Sequence, residues 1–255
     1  MKLSLFFIGL ALFSAESAAK PKSQCTLSVP VIEAQYSANH QAIGLANLNR
    51  ELLQLLATAA NCDLRPIKLP WSRGIAMLKA GELDLMMTMS KSAEREQFAD
   101  YIGSHSVEVV VLILHKDYLS LVKSLPDITH LPGQVAVLRE GFYGDRFHQL
   151  QQISAFRDKL LYANNVPQKL SLLEHNRVVG LIEERTQYQL WAEHHQEQAR
   201  DYREHLVLNH DPVYFAASRK GLTQHQRDHL RRSWATVFGS DAHKAILAKY
   251  GWSFE

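Results

Sequence analysis

Residues 70–96 read PWSRGIAMLKAGELDLMMTMSKSAERE, and this stretch decides the fold. Pro70 stands where a helix tolerates proline, because the first turn needs no backbone N–H donor. Three apolar side chains then recur at helical spacing and predict one buried face: Trp71, Ile75 and Leu78. Gly81 is typical of a helix end, and residues 83–88 form a short apolar run typical of a buried strand. The stretch therefore predicts a helix followed by a strand, the repeating unit of α/β proteins.

The same alternation of apolar runs and helical patterns extends on both sides of this stretch. Residues 27–32 and 64–69 have the length and composition of strands. Between them, apolar residues recur at helical spacing: Leu45, Leu48, Leu52, Leu55, Leu56 and Ala59. A new strand–helix series begins near residue 135. This order predicts an α/β protein.

Two extended segments divide the chain into two parts. Residues 106–114 form a β-branched run that is long enough to leave one lobe and reach another, and residues 206–217 give a second such passage. Two amphipathic helices follow the second passage. We therefore predict two α/β lobes joined by two crossover strands. Residues 20–110 and 213–255 would form lobe 1, and residues 111–212 would form lobe 2.

The N-terminal segment decides the compartment. Lys2 supplies a positive charge, residues 3–13 form an apolar run, and residues 17–19 are small, as at a signal-peptidase cleavage site. A short membrane anchor is the alternative, but the run is shorter than the roughly 20 apolar residues that span a bilayer. We predict a cleaved signal peptide over residues 1–19 and a mature protein, starting near Lys20, that is soluble in the periplasm.

The sequence contains two cysteines, Cys25 and Cys62, each just before a predicted strand. In an exported chain, an even number of cysteines favours disulfide formation. If the two strands are neighbours in a parallel sheet, their starts lie close enough for a bond. Two free thiols are the alternative. A metal site formed by the two cysteines is a weaker alternative, because no CxxC pair or nearby histidine pair completes it.

Composition and motifs argue against several classes of protein. The net charge of +2 is close to neutral, so it predicts neither nucleic-acid nor membrane binding. His225 and His229 share a helical spacing but lack a third ligand, so we expect no metal site. The sequence has no nucleophile elbow, P-loop or dinucleotide fingerprint. We therefore expect no cofactor and no catalytic residues.

Five segments occur in an order that is typical of one known family. Residues 70–84 have the form of a helix, Gly-Glu-x-Asp and a strand, and residues 87–96 (MTMSKSAERE) form a Ser/Thr-rich loop that reaches Glu-Arg. Residues 131–137 (LPGQVAV) resemble Leu-x-Gly-x-x-Val-Gly-Val, and residues 176–184 (NRVVGLIEE) resemble a Gly-Arg-Val-Asp-Ala strand. Residues 246–251 (ILAKYG) match Ile-x-x-Lys-Tyr-Gly. Together these segments resemble the family 3 extracellular solute-binding proteins.

The resemblance implies a type II periplasmic-binding fold, in which the ligand lies in a cleft between two α/β lobes. Such proteins deliver polar amino acids to an ABC importer in the inner membrane, although some relatives are sensor domains and a few are periplasmic dehydratases. We therefore expect a monomeric periplasmic protein that binds a small, amino-acid-like ligand for an ABC permease, rather than an enzyme. A ligand-binding module that signals to a membrane sensor is the first alternative. A dehydratase-like enzyme is the second.

Three residues of lobe 1 match family positions that contact the ligand. Arg95 matches the position that holds an α-carboxylate, for which the guanidinium fork is suited. The alternative is that Arg95 lies at the surface and pairs with a neighbouring acid: Glu94, Glu96 or Asp100. Thr88 and Ser90 match loop positions that contact the ligand through hydroxyl or main-chain groups. Their alternative role is to cap the following helix, a role that Ser92 also suits.

Further candidates come from the other strand ends and from the helix at residue 71. Glu184 matches the family's acidic partner for a ligand ammonium, with Glu183 the choice if the register slips by one residue. The alternative role of Glu184 is a helix-start carboxylate. Tyr36 follows the first strand, where the family often supplies an aromatic wall, and ordinary packing is its alternative. Arg73 is a candidate if its helix start faces the cleft, whereas we expect Trp71 in the core.

The segment Gly141-Phe142-Tyr143-Gly144 departs from the family pattern. Relatives place Thr or Ser here and hold the ligand's carboxylate with main-chain N–H groups at a helix start. In this chain the main-chain donors remain, and Tyr143 carries the only side-chain hydroxyl. We include Gly141, Phe142 and Tyr143 among the predicted ligand contacts. The two aromatic residues make a larger or more aromatic ligand, or none, an alternative to an ordinary amino acid.

Overall fold

The computed structural model describes residues 25–31 and 43–250, with side chains from residue 47 onward in the second range. The predicted signal peptide and Tyr36 lie outside the described residues. The strands are β1 (Cys25–Val31), β2 (Cys62–Lys68), β3 (Leu85–Ser90), β4 (Ala99–His115), β5 (Val135–Leu138), β6 (Leu160–Ala163), β7 (Gly180–Glu184) and β8 (Tyr202–Ser218).

Helices cover most of the remaining described chain. They are α1 (Ile43–Ala59), α2 (Trp71–Ala80), α3 (Ala93–Glu96), α4 (Asp145–Leu150), α5 (Ser154–Arg157), α6 (Val166–Glu174), α7 (Arg185–His194), α8 (Gln196–Ala199), α9 (Gln224–Val237) and α10 (Asp241–Lys249). Two 3-10 helices, Lys116–Leu121 and Leu125–His130, lie between β4 and β5. Within these ranges, every helix is too short or too polar to cross a membrane.

Two long antiparallel strands connect the halves of the molecule. β4 and β8 have 17 residues each and pair from Ala99 opposite Ser218 to His115 opposite Tyr202. They lie side by side in a six-stranded sheet of order β3-β8-β4-β7-β5-β6, while β1 and β2 form a parallel pair. The predicted α/β fold, with two lobes joined by two crossover strands, is confirmed.

Buried apolar side chains form separate cores at the two ends of the crossover strands. In lobe 1, β1 packs with α1, α9 and α10 around one core: Leu27, Leu52, Leu56, Phe215, Trp234 and Leu247. A smaller lobe 1 cluster joins α2 to β3: Ile75, Leu78, Met86, Met89 and Phe98. In lobe 2, clusters lie against β5 and β7: Val137, Phe147, Phe156, Ile182, Leu181, Tyr188 and Trp191. The residue bounds given above for the two lobes stay a prediction.

The stretch at residues 70–96 folds largely as its sequence predicts. α2 begins directly after Pro70 and ends at Gly81, which has a φ of 83°, a conformation that favours glycine. β3 begins at Leu85, later than the strand predicted at residues 83–88. Just before it, the Asp84 carboxylate accepts hydrogen bonds from the Ser28 N and Oγ of β1, at 2.8 and 2.7 Å.

A disulfide bond joins Cys25 to Cys62, as predicted. The two residues are direct register partners at the starts of the parallel strands β1 and β2, with their Cα atoms 4.6 Å apart. The bond closes a loop with a sequence separation of 37 residues. The bond therefore holds together the starts of β1 and β2, the two strands that α1 connects.

Replacing both Cys25 and Cys62 with serine should lower the free energy of unfolding by about 2–4 kcal/mol, because the unfolded chain regains freedom. Urea unfolding of the purified wild-type and double-variant proteins measures the difference. Reduction of the wild-type protein should reproduce it, while the double variant should not respond to the reductant. Equal unfolding midpoints for the two proteins would contradict a stabilising role for the bond.

Candidate functional site

The cleft between the lobes lies where several elements begin or end. β3 ends at Ser90 and leads into α3 on the lobe 1 side, while the loop after β5 and the end of β7 belong to lobe 2. A cavity of about 390 Å³ opens between α3 and the loop after β5, with walls from both lobes: Ser92, Arg95, Phe98, Glu140, Phe142 and Tyr162. Ser90, Glu108 and Glu184 are not among the residues that line it, and Arg95 connects the cavity to them. Small-molecule sites commonly have volumes of about 300–1,000 Å³. The cavity is therefore large enough for a small ligand or for part of a larger one.

Arg95 lies at the contact between the two lobes. Its side chain is buried, with 7% of its surface exposed. Nη1 donates to the carbonyl of Ser90 at 3.1 Å, and Nη2 donates across the cleft to the carbonyl of Glu140 at 2.9 Å. The Phe142 ring centroid is 5.7 Å from its guanidinium carbon, within cation–π range. Burial lowers the pKa of Arg95, but a guanidinium remains protonated at physiological pH. Arg95 is therefore not a surface arginine.

Ser90 and Ser92 have different roles in the turn that begins α3. The Ser92 Oγ accepts a hydrogen bond from the backbone N of Arg95 at 3.2 Å, so Ser92 is the helix cap. The Ser90 hydroxyl instead donates to Oε2 of Glu108 at 3.4 Å. The Ser90 carbonyl accepts from Arg95 and from the Tyr101 hydroxyl, each at 3.1 Å. Ser90 thus links a buried cation to an acid on β4.

Thr88 has a backbone conformation that is rare for a β-branched residue. Its φ is +55°, in the left-handed region that such residues seldom adopt. Its hydroxyl donates to the carbonyl of Met87 at 2.7 Å, and its backbone N donates to Nε2 of His105 at 3.0 Å. The hydroxyl is thus engaged within its own strand. Sequence reasoning did not identify His105 as the partner that holds this backbone.

Two adjacent acids at the end of β7 have different partners. Glu184 caps α7, since its Oε2 accepts from the backbone N of Gln187 at 2.7 Å. Burial raises the pKa of Glu184, and backbone N–H groups of Thr186 and Gln187 oppose that rise. Glu183 is buried, and its Oε1 accepts from the backbone N of Glu184 at 2.9 Å. The Thr186 hydroxyl also hydrogen-bonds the Glu184 carboxylate, whose several lone pairs can still accept a further hydrogen bond.

A buried lysine neutralises Glu183. The Lys169 side chain is 1% exposed, its Nζ donates to the carbonyl of Ile182 at 2.7 Å, and Nζ lies 3.0 Å from Oε2 of Glu183. Burial is the largest influence and would lower the pKa of Lys169, but Glu183, Tyr143 and Glu108 together outweigh it and raise that pKa. Sequence reasoning missed this residue, although a signal was present. Lys169 lies in the buried face of α6 together with Leu170 and Leu173. A charged side chain at such a position needs a buried partner of opposite charge.

Glu108 on β4 is a third acid of the cleft, and it was also missed. It lies within the β-branched run at residues 106–114, and a single acid in such a run is typical of a solvent-facing strand position. Burial, and then repulsion from Glu184 and Glu183, raises the pKa of Glu108 to about 8. Its hydrogen-bond donor is the Ser90 hydroxyl. Glu108 is therefore largely protonated at neutral pH unless a cation lies beside it.

Replacing Glu108 with glutamine should change how stability depends on pH. Between its ordinary pKa of 4.5 and its folded-state pKa of about 8, the folded protein holds a proton that the unfolded chain has lost. The stability of the wild-type protein should therefore fall as pH rises through this window, by at most ~1.4 kcal/mol per pH unit for this group. The nearby cations Arg95 and Lys169 reduce the rise in pKa without reversing it. The variant should lack this component.

Urea unfolding from about pH 5 to about pH 8 measures the difference, because stability follows the number of protons bound in each state. Glu96→Gln, at an exposed position on α3, is the matched control and should keep the wild-type profile. Parallel pH profiles for the Glu108→Gln and wild-type proteins would show that Glu108 ionises normally in the folded state.

Tyr143 packs into the lobe 2 core, and its role as a ligand contact stays a prediction. Its hydroxyl oxygen accepts from the backbone N of Leu138 at 2.6 Å, and its buried ring packs edge-on against Phe147 with centroids 5.0 Å apart. The ring belongs to the lobe 2 core because that position offers it both apolar contact and a hydrogen-bond partner. Gly141 lies over this ring, where an added Cβ would be 2.7 Å from the Tyr143 hydroxyl oxygen. Of the loop's two aromatic side chains, Phe142 is the one beside Arg95.

The start of α2 brings Trp71, and not Arg73, to the lobe contact. Arg73 is exposed, because the buried positions of the helix lie on another face: Gly74, Ile75 and Leu78. Arg73 is not among the residues that line the cavity, and its role as a ligand contact stays a prediction. Trp71 packs at the edge of the α2 cluster, as expected for a core residue, but its Nε1 also donates to the carbonyl of Glu140 at 3.3 Å. The Glu140 carbonyl thus accepts from two lobe 1 side chains.

The groups that meet in the cleft separate positive from negative charge. Lobe 1 contributes the Arg95 cation, and the acids Glu108 and Glu184 come from β4 and β7. Of the predicted contacts, the structure brings together Arg95, Ser90, Phe142 and Glu184, with Thr88 and Gly141 in the adjoining backbone. Such an arrangement complements a molecule that carries both a carboxylate and an ammonium group. Within the described residues, no group of three or more His, Cys, Asp or Glu could hold a metal ion.

Comparisons with known proteins agree with this architecture. The family model for bacterial extracellular solute-binding proteins, family 3, matches residues 30–251. No curated protein sequence matches the chain. A histidine kinase sensor domain with similarity to periplasmic binding proteins aligns with a TM-score of 0.70 at 15% identity, over 91% of this chain and 97% of that one.

Two other solved structures represent different uses of the fold. The amino acid ABC transporter substrate-binding protein AbpA from Streptococcus pneumoniae, bound to L-arginine, aligns with a TM-score of 0.68 at 17% identity, over 90% of this chain and 96% of that one. The ancestral amino acid-binding protein AncCDT-1, a precursor of cyclohexadienyl dehydratase, aligns with a TM-score of 0.64 at 16% identity, over 90% and 95%. At these identities the likeness concerns the fold alone.

Proposed function

Since the chain belongs to the bacterial extracellular solute-binding proteins, family 3, we propose that it captures a small amino-acid-like ligand in the cleft between its lobes. The observation that carries the proposal is the buried Arg95, whose guanidinium lies between the lobes. A buried cation is costly unless acceptors satisfy it, and a carboxylate is the acceptor that best fits the guanidinium fork. Arg95 would therefore hold the carboxylate of the ligand.

The opposite end of the ligand would meet the acids on β4 and β7. An ammonium group beside Glu184 and Glu108 would offset the burial and the repulsion that together raise the pKa of Glu108. Ser90, which contacts both Arg95 and Glu108, would lie between the two charged ends. Phe142 would cover the apolar part of the ligand near Arg95. The site would thus favour zwitterions over simple anions or simple cations.

Binding would be coupled to movement of the lobes about the crossover strands. β4 and β8 are the long strands that both lobes share, so bending within them would open or close the cleft. Closure would exclude water from Arg95 and the acids, and electrostatic attraction is stronger where water is absent. The ligand would therefore stabilise the closed arrangement in which Arg95 and Trp71 contact Glu140.

We place this protein in the periplasm as a monomer that delivers its ligand to an inner-membrane ABC importer. The apolar segment at residues 3–13 and the family support export, and the transport protein AbpA supports delivery. A sensory role is the second candidate, favoured by the similarity to a histidine kinase sensor domain. In either role the protein would bind its ligand without converting it.

The test is a thermal-shift screen of the protein purified from the periplasm, where its mass should show a chain that starts near Lys20. The probes are L-arginine, L-citrulline, L-glutamine, a polyamine and an aromatic acid. A probe at a hundredfold excess over Kd should add about 2.7 kcal/mol to stability. A shift with an amino acid, recovered unchanged after incubation, supports the proposal. Conversion of the probe would establish an enzyme instead, and no shift with any amino acid would contradict the proposed ligand class.

A further inference from the structure

Strand β8 is flanked on both sides by strands that carry an extra residue. On one side, the register of β3 shifts between Met86 and Met89, opposite Ala216 and Tyr214. On the other side, β4 pairs Ser104 with Tyr214 and Ser106 with Val213, which leaves His105 as the extra residue. Such β-bulges bend a strand and redirect its side chains, and they are frequent beside binding sites. β4 shifts once more between Tyr101 and Gly103, so the bulges on both sides of β8 all lie opposite its residues 213–216.

The His105 side chain bridges two of these bulges. It is fully buried, and its ring packs on Phe215 of the intervening strand with centroids 4.5 Å apart. Beyond that strand, Nε2 accepts the backbone N–H of Thr88 at 3.0 Å. On its own strand, Nδ1 lies 3.0 Å from the Ser106 hydroxyl oxygen. One imidazole therefore connects β4 to β3 across β8.

The role of each ring nitrogen follows from these contacts. Because Nε2 accepts a hydrogen bond, it carries no proton, and the proton of the neutral ring lies on Nδ1, which donates to Ser106. Burial, and to a smaller extent His243, lowers the pKa of His105 to about 3. The ring is therefore neutral throughout the physiological range of pH. Its acceptor stays available to Thr88.

The bond to His105 fixes a backbone conformation that threonine does not favour. A threonine with a φ of +55° is strained and persists only where its surroundings enforce that conformation. Thr88 occupies the bulge of β3, two residues before Ser90. The direction of the chain at Thr88 therefore sets where Ser90 places its carbonyl and its hydroxyl, which contact Arg95 and Glu108.

We propose that His105 is a positioning residue of the ligand site: it holds the Thr88 bulge so that Ser90 meets Arg95 and Glu108 in the cleft. The expected effect of His105 on ligand affinity rests on the proposed function. The positioning itself can be measured without any ligand. His105 contacts no group that we assign to the ligand directly, so its replacement should act only through the end of β3.

Two variants separate the hydrogen bond from the space that the ring fills. His105→Gln keeps an acceptor that can reach the Thr88 N–H, whereas His105→Leu fills similar volume without one. With L-arginine as the probe and L-citrulline as its uncharged-side-chain comparison, His105→Leu should bind about tenfold more weakly than the wild type, since the end of β3 loses the bond that holds Ser90 beside Arg95 and Glu108. His105→Gln should bind close to the wild type. Calorimetric titration measures both affinities.

Amide hydrogen exchange and histidine nitrogen shifts provide the readout that is independent of ligand. The Thr88 amide should exchange slowly in the wild type and in His105→Gln but rapidly in His105→Leu, and wild-type His105 should show a proton on Nδ1. Equal affinities for the Leu and wild-type proteins, or a rapidly exchanging Thr88 amide in the wild type, would overturn the inference. If His105→Leu does not fold, the wild-type exchange rate and the Gln variant decide. If no probe binds the wild type, the proposed ligand class fails, while slow exchange at Thr88 still supports the positioning role.

Discussion

Replacing Arg95 with methionine should weaken the binding of L-arginine by at least about a hundredfold, because a charge that is buried with the ligand loses its partner. Breaking such a buried pair typically costs about 3–5 kcal/mol, and every 1.4 kcal/mol corresponds to about tenfold in Kd. Methionine retains much of the volume of the arginine stem, so the cavity beside Phe142 should stay filled. Calorimetric titration of wild-type and variant proteins at one pH measures the loss. The affinity should fall for every ligand that carries a carboxylate.

Arg73→Met is the matched control for this substitution. It removes the same charge from the same lobe, but at an exposed position on α2, so the affinity should not change. A lysine at position 95 should recover only part of the loss, because an ammonium group cannot make the two-pronged contact of a guanidinium. Unchanged affinity in Arg95→Met, with an intact melting transition, would mean that the carboxylate binds elsewhere. A loss in Arg73→Met of the same size would point to the overall charge of lobe 1 instead.

The fold was predictable because its determinants are local and repeated. Pro70, Gly81 and the apolar spacing between them define α2 without reference to the rest of the chain. The β-branched run at residues 106–114 identifies a crossover strand, although β4 begins at Ala99. The earlier part of β4 lacks a continuous apolar pattern and is held by its pairing with β8. Pairing between distant strands supplies what local pattern does not.

The candidate site was only partly predictable for the same reason. Arg95 follows a motif that lies within one segment, and Glu184 ends a strand with a recognisable pattern. Glu108 becomes part of the cleft only because β4 pairs with β7, which places Val110 opposite Glu184. Whether a side chain on a crossover strand faces the cleft depends on register, and register depends on contacts between residues far apart in sequence.

The directions of the aromatic side chains at the lobe contact also depend on tertiary structure. The sequence places Phe142 and Tyr143 side by side, but one ring lies on Arg95 and the other enters the lobe 2 core. Trp71 has the spacing of a core residue, yet its indole N–H reaches the carbonyl of Glu140 in the other lobe. A helical pattern identifies the apolar face of α2, but it does not show that lobe 2 lies against the end of that face.

Replacing Lys169 with methionine should lower the free energy of unfolding by about 3–5 kcal/mol, because the buried Glu183 carboxylate loses its cation. Both side chains are almost fully buried, so water does not replace the missing charge. Urea unfolding of the wild-type and variant proteins at one pH measures the loss.

Lys249→Met supplies the matched control, because Lys249 pairs with Glu51 at the surface. The lysine of that pair is 60% exposed, and exposed ion pairs contribute about 0–1 kcal/mol. In lobe 2, the double variant Lys169→Met with Glu183→Gln should recover much of the stability lost by Lys169→Met alone, since no unpaired charge remains buried. If the single variant were as stable as the control, then Glu183 would not require Lys169 as a counter-ion. If the double variant were no better than the single one, the loss would come from packing of the lysine stem and its bond to Ile182 instead.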